Sequence, residues 1–323
     1  DCSPRTLIES ILYHGVLPES HFQPHSEYLE QIKIRPAPSP GKGLRPQVEH
    51  LMGDIRELKN SRNCQPIFIN LLPACNLSDL SRCRDLDQLY SEVDPAGFPD
   101  LAYVIAAIRS GLPVINFTPN HVEWPVLVKE AVRMSVPLTG RDGKTGQTYL
   151  KVVIASALKA RHLQVDGWYS VNILGNEDGR NLDDPQRAAG KLANKTGLLD
   201  EILGYEVGER YGTSSHKVRI DYYPPRGDAK EAWDVIDFLG LFGLPMSLRL
   251  NLLARDSILA APLILDLARW MGALQRAGKS GLIAELAFYF KKPVGSNPPV
   301  TFQEQIAKLE ELERACRQVP NHT

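Results

Sequence analysis

Lysines, carboxylates and hydroxyl groups lie on or beside glycine-rich segments at four places in the sequence. These are Gly140–Thr148 (Gly-Arg-Asp-Gly-Lys-Thr-Gly-Gln-Thr), Asn172–Gly179 (Asn-Ile-Leu-Gly-Asn-Glu-Asp-Gly), the pair Lys191 and Lys195, and Gly227–Lys230 (Gly-Asp-Ala-Lys). Glycine lets backbone amides approach an anion closely, hydroxyl and amide side chains donate hydrogen bonds, and lysine supplies positive charge. One such segment is usually an ordinary turn. Four in one chain predict a site that handles a phosphate group.

The two lysines of the third segment follow Asp184 and Pro185, an N-cap residue and a proline at the first helical position. We therefore expect a helix after Pro185, with Arg187, Lys191 and Lys195 on one face. Like charges four residues apart repel each other by roughly a few tenths of a kcal/mol, which a bound anion would offset. On the residues alone, a basic stripe that faces water is the favoured interpretation.

The composition excludes a general affinity for nucleic acid, because Lys and Arg number 37, Asp and Glu 38, and the net charge is −1,. The length of 323 residues is enough for two domains with their own cores,. The apolar stretch Ile258–Leu267 contains Pro262 and Asp266 and is shorter than the roughly 20 residues of a membrane span. No secretory leader opens the sequence. We expect a soluble, cytoplasmic protein with no nucleic-acid or membrane partner.

The cysteines form no Cys-x-x-Cys pair, and the histidines lack the spacing of a zinc helix or finger. We expect reduced thiols and assign no transition-metal site. The cysteines are Cys2, Cys64, Cys75, Cys83 and Cys316.

Helices and strands alternate in the first half of the chain. Apolar runs suited to buried strands cover Pro66–Leu72 and Leu112–Ile115, and helical patterns cover Gln47–Lys59, Tyr103–Arg109 and Trp124–Met134,. This rhythm predicts a doubly wound α/β domain of the Rossmann type. Ligands of such domains bind at the carboxyl ends of the strands.

The segments Leu72–Asn76 and Asn116–Asn120 follow the two predicted strands, so we expect both at that ligand-binding edge,. The phosphate-binding Gly-x-Gly-x-x-Gly turn should follow the first strand of the domain, and no segment of the sequence qualifies. Gly41-Lys-Gly43 comes nearest, but it follows prolines rather than a strand. The predicted Rossmann-like domain therefore lacks its first βαβ unit.

The pattern changes at Thr148. A helix is expected to Ala160, followed by strands at Trp168–Asn172 and Lys217–Tyr223,. We interpret residues 149–258 as an inserted α+β domain and residues 1–148 and 259–323 as the nucleotide-binding domain. The charged segment Thr301–Arg317 is predicted to be a helix with a solvated face.

These segments, in this order, resemble the inositol-3-phosphate synthase (myo-inositol-1-phosphate synthase) family from the first residue to about Pro293. Further motifs carry the resemblance: Asn116-Phe-Thr-Pro-Asn120, Arg255–Ile264 (Arg-Asp-Ser-Ile-Leu-Ala-Ala-Pro-Leu-Ile) and Phe290-Lys-Lys-Pro293. The family has the missing dinucleotide turn upstream, so the resemblance implies that this chain is incomplete at its N-terminus. It also implies that the inserted domain carries a catalytic site and a sheet used in homotetramer assembly.

The resemblance implies an isomerase of the intramolecular lyase class that converts D-glucose 6-phosphate into 1D-myo-inositol 3-phosphate with bound NAD. Oxidation at carbon 5 is followed by enolisation, an intramolecular aldol step and reduction. The sequence leaves open whether a divalent or monovalent cation assists the enolate.

The family's site residues fall on particular positions of this chain. Those that resemble its catalytic residues are Lys191, Lys195, Lys230, Lys291 and Asp178. Those that resemble its substrate phosphate site are Thr145, Gly146, Gln147, Thr148 and Lys195. Those that resemble its cofactor site are Asp1, Asn116, Thr118, Asp142, Asn176, Asp178, Gly227, Asp228, Asp256 and Ser257. We assign proton transfer at the carbon 5 oxygen to Lys191 paired with Asp178, as a hypothesis.

Three alternatives stay open. A non-catalytic homologue would keep a sugar-phosphate pocket and an oligomer surface, and a synthase of a related cyclitol phosphate would keep the chemistry. An ordinary two-substrate dehydrogenase would form NADH in net amounts, which the synthase does not. The chain differs from the family's usual pattern at Glu177, Phe117 and Leu72-Pro-Ala74. These differences concern the geometry of the cofactor site.

Overall fold

The computed structural model describes residues 6–39, 41–61, 64–75, 79–182 and 197–317. The chain divides into two compact units, Asp1–Ser39 and Pro40–Thr323. The first unit contains three short helices: α1 Leu7–His14, α2 Glu19–Phe22 and α3 Ser26–Glu30. Helix α1 begins with a reciprocal pair of hydrogen bonds between Thr6 and Glu9, and it ends at Gly15, whose φ is +60°,.

A parallel four-stranded sheet lies in the second unit. Its strands are β1 Phe68–Asn70, β2 Val114–Asn116, β3 Pro137–Gly140 and β8 Gly281–Leu282. They pair in the order β1-β2-β3-β8. Strands β2 and β3 are buried along their whole length, which explains their continuous apolar sequence. The two strands predicted in this region are confirmed, and β3 and β8 are additional.

Helices flank this sheet and form its core. They are α4 Leu44–Ser61, α5 Leu86–Glu92, α6 Leu101–Arg109 and α7 Pro125–Arg133. The predicted helices in this region are confirmed. Helix α7 begins with Pro125 at its first position, where a missing N–H removes no hydrogen bond.

A mixed four-stranded sheet is the second layer of strands. Its members are β4 Gln164–Leu174, β5 His216–Tyr222, β6 Lys230–Leu239 and β7 Pro245–Ala254. They pair in the order β5-β4-β6-β7, with β4 parallel to β5 and antiparallel to β6. Helix α8, Gln147–Ala160, packs against this sheet through an apolar cluster that includes Val152, Trp168 and Ile236.

Four further helices complete the described chain. They are α9 Glu177–Leu182, the described part of α10 at residues 197–203, α11 Asp256–Arg276 and α12 Phe302–Arg317. Helix α11 is the one helix among the described residues that is long and apolar enough to cross a membrane. Its residues Leu267 and Met271 are buried in one apolar cluster with Ile115 of β2, whereas Ile258 and Leu265 are exposed. The C-terminal half of the helix is therefore the part that packs in the core.

Helix α12 has the predicted solvated face, because most of its charged residues are exposed. Its Leu312 is buried in the cluster that contains α11, and Gln305 is also buried. The apolar residues of α12 fall on one side of the helix, and this side packs against the core,. The charged residues, which dominate its composition, lie on the other side. The predicted helix with a solvated face is confirmed, and its other face is packed in the core.

The protein has an α/β fold with one parallel and one mixed sheet. The strands of the parallel sheet all lie within residues 1–148 and 259–323, and those of the mixed sheet all lie within residues 149–258.

Candidate active site

The register of the mixed sheet places the ends of its four strands in one row. Leu174, near the end of β4, pairs with Lys230 at the start of β6, and Lys230 pairs with Ala254 at the end of β7. Tyr222 of β5 pairs with Leu174 on the other side. The loops at these four strand ends therefore meet at one end of the sheet. They carry the predicted residues Asn176, Asp178, Gly227, Asp228, Asp256 and Ser257.

The first ion pair at this edge joins Lys230 and Asp256. Lys230 Nζ donates to Asp256 Oδ2 at 2.8 Å, and Thr145 Oγ1 donates to Asp256 Oδ1 at 3.0 Å. Burial raises the pKa of Asp256, but Lys230, Lys291 and Thr145 together lower it below its usual value. As the first residue of α11, Asp256 also lies at a helix N-terminus, where a negative charge is favoured,.

The second ion pair joins Lys291 and Asp142. Lys291 Nζ donates to Asp142 Oδ1 at 2.7 Å, and the Lys291 backbone N–H donates to the Asp142 carbonyl at 2.7 Å. The side chains of Lys291 and Asp142 are 17% and 7% exposed. Because Lys291 also lowers the pKa of Asp256, the two ion pairs are electrostatic neighbours in one cluster.

Backbone hydrogen bonds fix the loop that carries Asp142. Arg141 N–H donates to the Lys292 carbonyl at 2.9 Å, and Lys144 N–H donates to the Tyr289 carbonyl at 2.8 Å. Gly143 lies against Phe117 so closely that a Cβ at this position would be 2.1 Å from the ring. A side chain at position 143 would therefore displace the Phe117 ring. The backbone hydrogen bonds between residues 141–144 and 289–292 explain how Asp142 meets Lys291.

The predicted phosphate segment forms the start of α8. Gly146 is the N-cap of this helix, and Gln147 and Thr148 are its first residues. A helix N-terminus has backbone N–H groups without intrahelical partners, which suits an anion. A Cβ on Gly146 would lie 3.8 Å from Asp256 Oδ1, so the segment adjoins the first ion pair.

A tight turn places the remaining predicted residues at the same edge. A Cβ on Gly175 would lie 2.4 Å from the backbone nitrogen of Gly227, so the two segments touch. Asn176 Oδ1 accepts from Gly179 N–H at 3.1 Å at the start of α9. Ser257 Oγ donates to Asp228 Oδ2 at 3.2 Å. These residues surround the row that contains Lys230.

Asn116 and Thr118 lie at the carboxyl edge of the parallel sheet, and both are buried. Asn116 Nδ2 donates to the Asn120 carbonyl at 2.7 Å and to Glu123 Oε1 at 3.0 Å, and Thr118 Oγ1 donates to Asn116 Oδ1 at 2.8 Å. Their side chains are therefore engaged within the protein. The predicted meeting of the two loops at this edge is confirmed, because Asn120 Nδ2 donates to the Pro73 carbonyl at 3.0 Å.

Comparisons with known proteins agree with this arrangement. Residues 146–257 match the family model of myo-inositol-1-phosphate synthase. Inositol-3-phosphate synthase 1 of Bacteroides thetaiotaomicron is 36% identical over 318 residues, which cover 91% of this chain and 74% of the relative. The chain belongs to the inositol-3-phosphate synthase family. The resemblance predicted from the sequence motifs is confirmed.

Two further members of the inositol-3-phosphate synthase family define the extent of the match. Inositol-3-phosphate synthase 1 of Oryza sativa subsp. japonica is 30% identical over 297 residues, so the chain spans 84% of its own length and 57% of the rice protein. The crystal structure of inositol-3-phosphate synthase from Caenorhabditis elegans has a TM-score of 0.86, covers 100% of this chain and 70% of that one, and is 23% identical. This last likeness shows a shared fold.

Part of the site expected for an inositol-3-phosphate synthase lies outside the described residues. Asp1, Lys191 and Lys195 belong to this group, and so do the side chain of Asp178 and the helix predicted after Pro185. Within the described ranges, no group of three or more His, Cys, Asp or Glu side chains could hold a metal ion.

Asn172 is a candidate site residue that sequence reasoning did not assign. It lies in β4 opposite Ala232, two residue pairs away from Lys230 and on the same face of the sheet. It is 1% exposed, and neither its Nδ2 nor its Oδ1 has a hydrogen-bond partner in the part of the chain that the structure describes. A buried amide without partners is costly, so Asn172 is suited to meet a ligand hydroxyl. Its place in the Asn172–Gly179 motif was the available signal.

A cavity of about 350 Å³ is lined by three basic residues, Arg141, Lys291 and Lys292, and by one acidic residue, Glu201. Burial and the charge of Arg141 lower the pKa of Lys292. Sequence reasoning assigned neither Arg141 nor Lys292, although both stand within the motifs that it singled out. The cavity therefore extends the positively charged part of the site beyond the two ion pairs.

Proposed function

We propose that the protein converts D-glucose 6-phosphate into 1D-myo-inositol 3-phosphate with bound NAD, as an isomerase of the intramolecular lyase class. The observation that carries this proposal is the cluster of two lysine–aspartate ion pairs, Lys230–Asp256 and Lys291–Asp142, beside the N-terminus of α8. One part of the cluster suits a phosphate, and the other supplies fixed positive charge to reacting oxygens.

The phosphate end of the substrate is assigned to the start of α8. Gly146, Gln147 and Thr148 offer backbone N–H groups at a helix N-terminus,. Thr145 adds a hydroxyl, which donates to Asp256 Oδ1 at 3.0 Å. Lys195, which lies outside the described residues, is expected to add positive charge.

The sugar end of the substrate is assigned to Lys230 and Lys291. A ketone at carbon 5 acidifies the protons at carbon 6, and loss of one proton gives an enolate whose carbon 6 attacks the aldehyde at carbon 1. Negative charge then develops first on the carbon 5 oxygen and afterwards on the carbon 1 oxygen. Fixed ammonium groups in a partly buried site stabilise such charges strongly because they need little reorganisation. Lys191 with Asp178 stays our assignment for proton transfer at the carbon 5 oxygen.

When bound, NAD supplies the oxidation at carbon 5 and the later reduction, so the net reaction is an isomerisation. The described residues suit its nicotinamide half, because Asn172, whose amide has no partner among them, and the turn at Gly175 and Gly227 lie at the end of the mixed sheet that carries Lys230. Asp228, Asp256 and Ser257 are assigned to this side of the site. Asn116 and Thr118 shape it from the parallel sheet, and Asp1 is assigned to the cofactor from the resemblance alone.

The fold-level part of the proposal is a Rossmann-like NAD-binding domain at residues 1–148 and 259–323, without its first βαβ unit, and an inserted catalytic and assembly domain at residues 149–258. The strands in residues 1–148 and 259–323 form a parallel sheet, and those in residues 149–258 form a mixed sheet. The face of the mixed sheet that carries Tyr169, Trp233 and Leu253 is exposed to 47%, 49% and 60% at these residues. That face supports a homotetramer, and we assign the protein to the cytoplasm.

The test is production of inositol phosphate. The protein, expressed from its complete reading frame, is incubated with glucose 6-phosphate and NAD and followed by phosphorus NMR. A new cyclitol phosphate signal without net NADH supports the proposal, and comparison with authentic 1D-myo-inositol 3-phosphate identifies the product. Binding of glucose 6-phosphate without turnover would favour the non-catalytic homologue, and net NADH with an added alcohol would favour a dehydrogenase.

A further inference from the structure

A buried carboxylate lies behind the phosphate segment and is absent from the site described so far. Asp234 of β6 is 2% exposed. Its Oδ1 accepts from Trp168 Nε1 at 2.7 Å and from Ser170 Oγ at 2.5 Å, and its Oδ2 accepts from Gln147 Nε2 at 2.8 Å. Three donors thus hold the carboxylate in one orientation. One of them is the side chain of a predicted phosphate-binding residue.

The charge of Asp234 is balanced from α8. Lys151, one turn after Gln147, is 3% exposed, and its Nζ donates to Ser170 Oγ at 3.1 Å, which in turn donates to Asp234. Lys151 Nζ also lies 2.7 Å from His216 Nε2. A charged lysine can only donate, so His216 Nε2 accepts and its proton lies on Nδ1. The network is therefore satisfied and internally neutralised.

A carboxylate in this position has a specific consequence for Gln147. A carboxylate only accepts hydrogen bonds, so it bonds the nitrogen end of the Gln147 amide and excludes the flipped arrangement. One of the two amide N–H groups is used in this bond, and the other remains to donate to a ligand. An amide held in the opposite sense would turn its oxygen, an acceptor, toward a phosphate.

We propose that Asp234 is a positioning residue for substrate phosphate, which acts by holding the Gln147 amide with an N–H group toward the anion. The inference rests on the proposed function, because it takes the start of α8 as the phosphate site. Asp234 itself does not touch the substrate. Ser170 and Trp168 hold the carboxylate, and Lys151 supplies its counter-charge.

The test uses Asp234→Asn, a substitution that keeps the size of the side chain but allows it to donate to Gln147 Oε1. Affinities for inorganic phosphate and for glucose 6-phosphate are measured by titration calorimetry. Both are expected to weaken by about tenfold, the factor that corresponds to one lost charge-assisted hydrogen bond. KM for glucose 6-phosphate is expected to rise with kcat nearly unchanged. Asp237→Asn, on the exposed face of the same strand, is the matched control and should leave both affinities unchanged.

A double-mutant cycle with Gln147→Leu separates positioning from a general effect on the fold. If Asp234 acts through Gln147, Asp234→Asn has no further effect on phosphate affinity in the Gln147→Leu background. An equal loss in both backgrounds, or no loss in the wild-type background, overturns the inference. If Asp234→Asn does not fold, Ser170→Ala, which removes one of the three bonds to the carboxylate, takes its place in the same cycle.

The same measurements keep this inference distinct from the proposed function. Coupling between Asp234 and Gln147 in phosphate affinity, without any inositol phosphate formed, would support the inference and refute the synthase. Inositol phosphate formed without coupling would support the synthase and refute the role of Asp234.

Discussion

The ends of the two sheets use polar residues in opposite ways. At the carboxyl edge of the parallel sheet, Asn70, Asn116, Asn120 and Asp100 are buried and bonded to one another. At the edge of the mixed sheet, the charged groups of Lys230 and Asp256 remain partly exposed, at 21% and 33%. The first arrangement fixes loops, and the second leaves charge accessible. Buried amides bonded to one another therefore indicate scaffold, and a partly exposed ion pair indicates chemistry.

The largest expected effect follows from removing charge from the cluster of the two lysine–aspartate ion pairs. Lys291→Ala leaves developing oxyanions without a fixed donor, and we expect kcat to fall by about 10²–10³-fold. Stopped time courses of inositol phosphate formation measure this. Lys217→Ala, which replaces an exposed lysine of β5 in the mixed sheet, serves as the control. A fall of less than about threefold for Lys291→Ala would contradict its role.

Removing an amide from the scaffold edge should instead cost stability. Asn116→Ala removes the acceptor of the Thr118 hydroxyl and a donor to Glu123 Oε1, and we expect the free energy of unfolding to fall by about 2–3 kcal/mol. Urea denaturation followed by fluorescence measures the change. Asn60→Ala, on the exposed side of α4, should change stability by less than about 0.5 kcal/mol. Equal stability of Asn116→Ala and wild type would remove the distinction between the two edges.

Lys144 gives a pH-dependent test of burial beside the parallel sheet. Its Nζ donates to Gln305 Oε1 at 2.8 Å, and burial lowers its pKa from 10.5 to about 7. Between these values the unfolded chain binds a proton that the folded protein does not, so stability rises with pH. Relative to Lys144→Met, the free energy of unfolding of the wild type should increase by up to about 1.4 kcal/mol per pH unit in this window.

Unfolding curves at several pH values above neutrality provide the measurement for Lys144. Lys217→Met, in which an exposed lysine is replaced, should show the same pH dependence as the wild type. A difference between wild type and Lys144→Met that does not change with pH would contradict a depressed pKa.

The smallest expected effect on stability concerns Asn172. Because its buried amide has no partner among the described residues, Asn172→Ala should change the free energy of unfolding by less than about 1 kcal/mol. The affinity of the variant for NAD should nevertheless weaken by about tenfold. Calorimetric titration of the variant beside Asn116→Ala compares the two asparagines directly. A large loss of stability with unchanged affinity would make Asn172 a scaffold residue.

Much of the parallel sheet could be predicted because burial on both faces produces continuous apolar runs between helical patterns. The strand β6 was not predicted, and its sequence shows the reason. Asp234 occupies the buried face, and it interrupts the alternation of apolar and polar residues by which a strand is recognised. Asp234, which accepts a hydrogen bond from Gln147, is thus the residue that kept β6 from being predicted.

The site could be predicted only in part. Glycine-rich segments indicated phosphate binding, and the resemblance supplied the lysines. No spacing rule connects Lys291 with Asp142, because tertiary contacts between remote segments bring them together. Asn172 could not be assigned either, because the absence of a hydrogen-bond partner is a property of the packed structure.

Helix α11 has one further consequence. Its first residue, Asp256, is bonded to Lys230 of the mixed sheet, while Leu267, Met271 and Leu274 are buried with Ile115 of the parallel sheet. The same rigid element thus ends in the reactive cluster and is anchored in the neighbouring core. A movement that separates the sheets must break the ion pair or expose apolar surface. Helix α11 therefore couples the position of the ion pair to the packing of the neighbouring core.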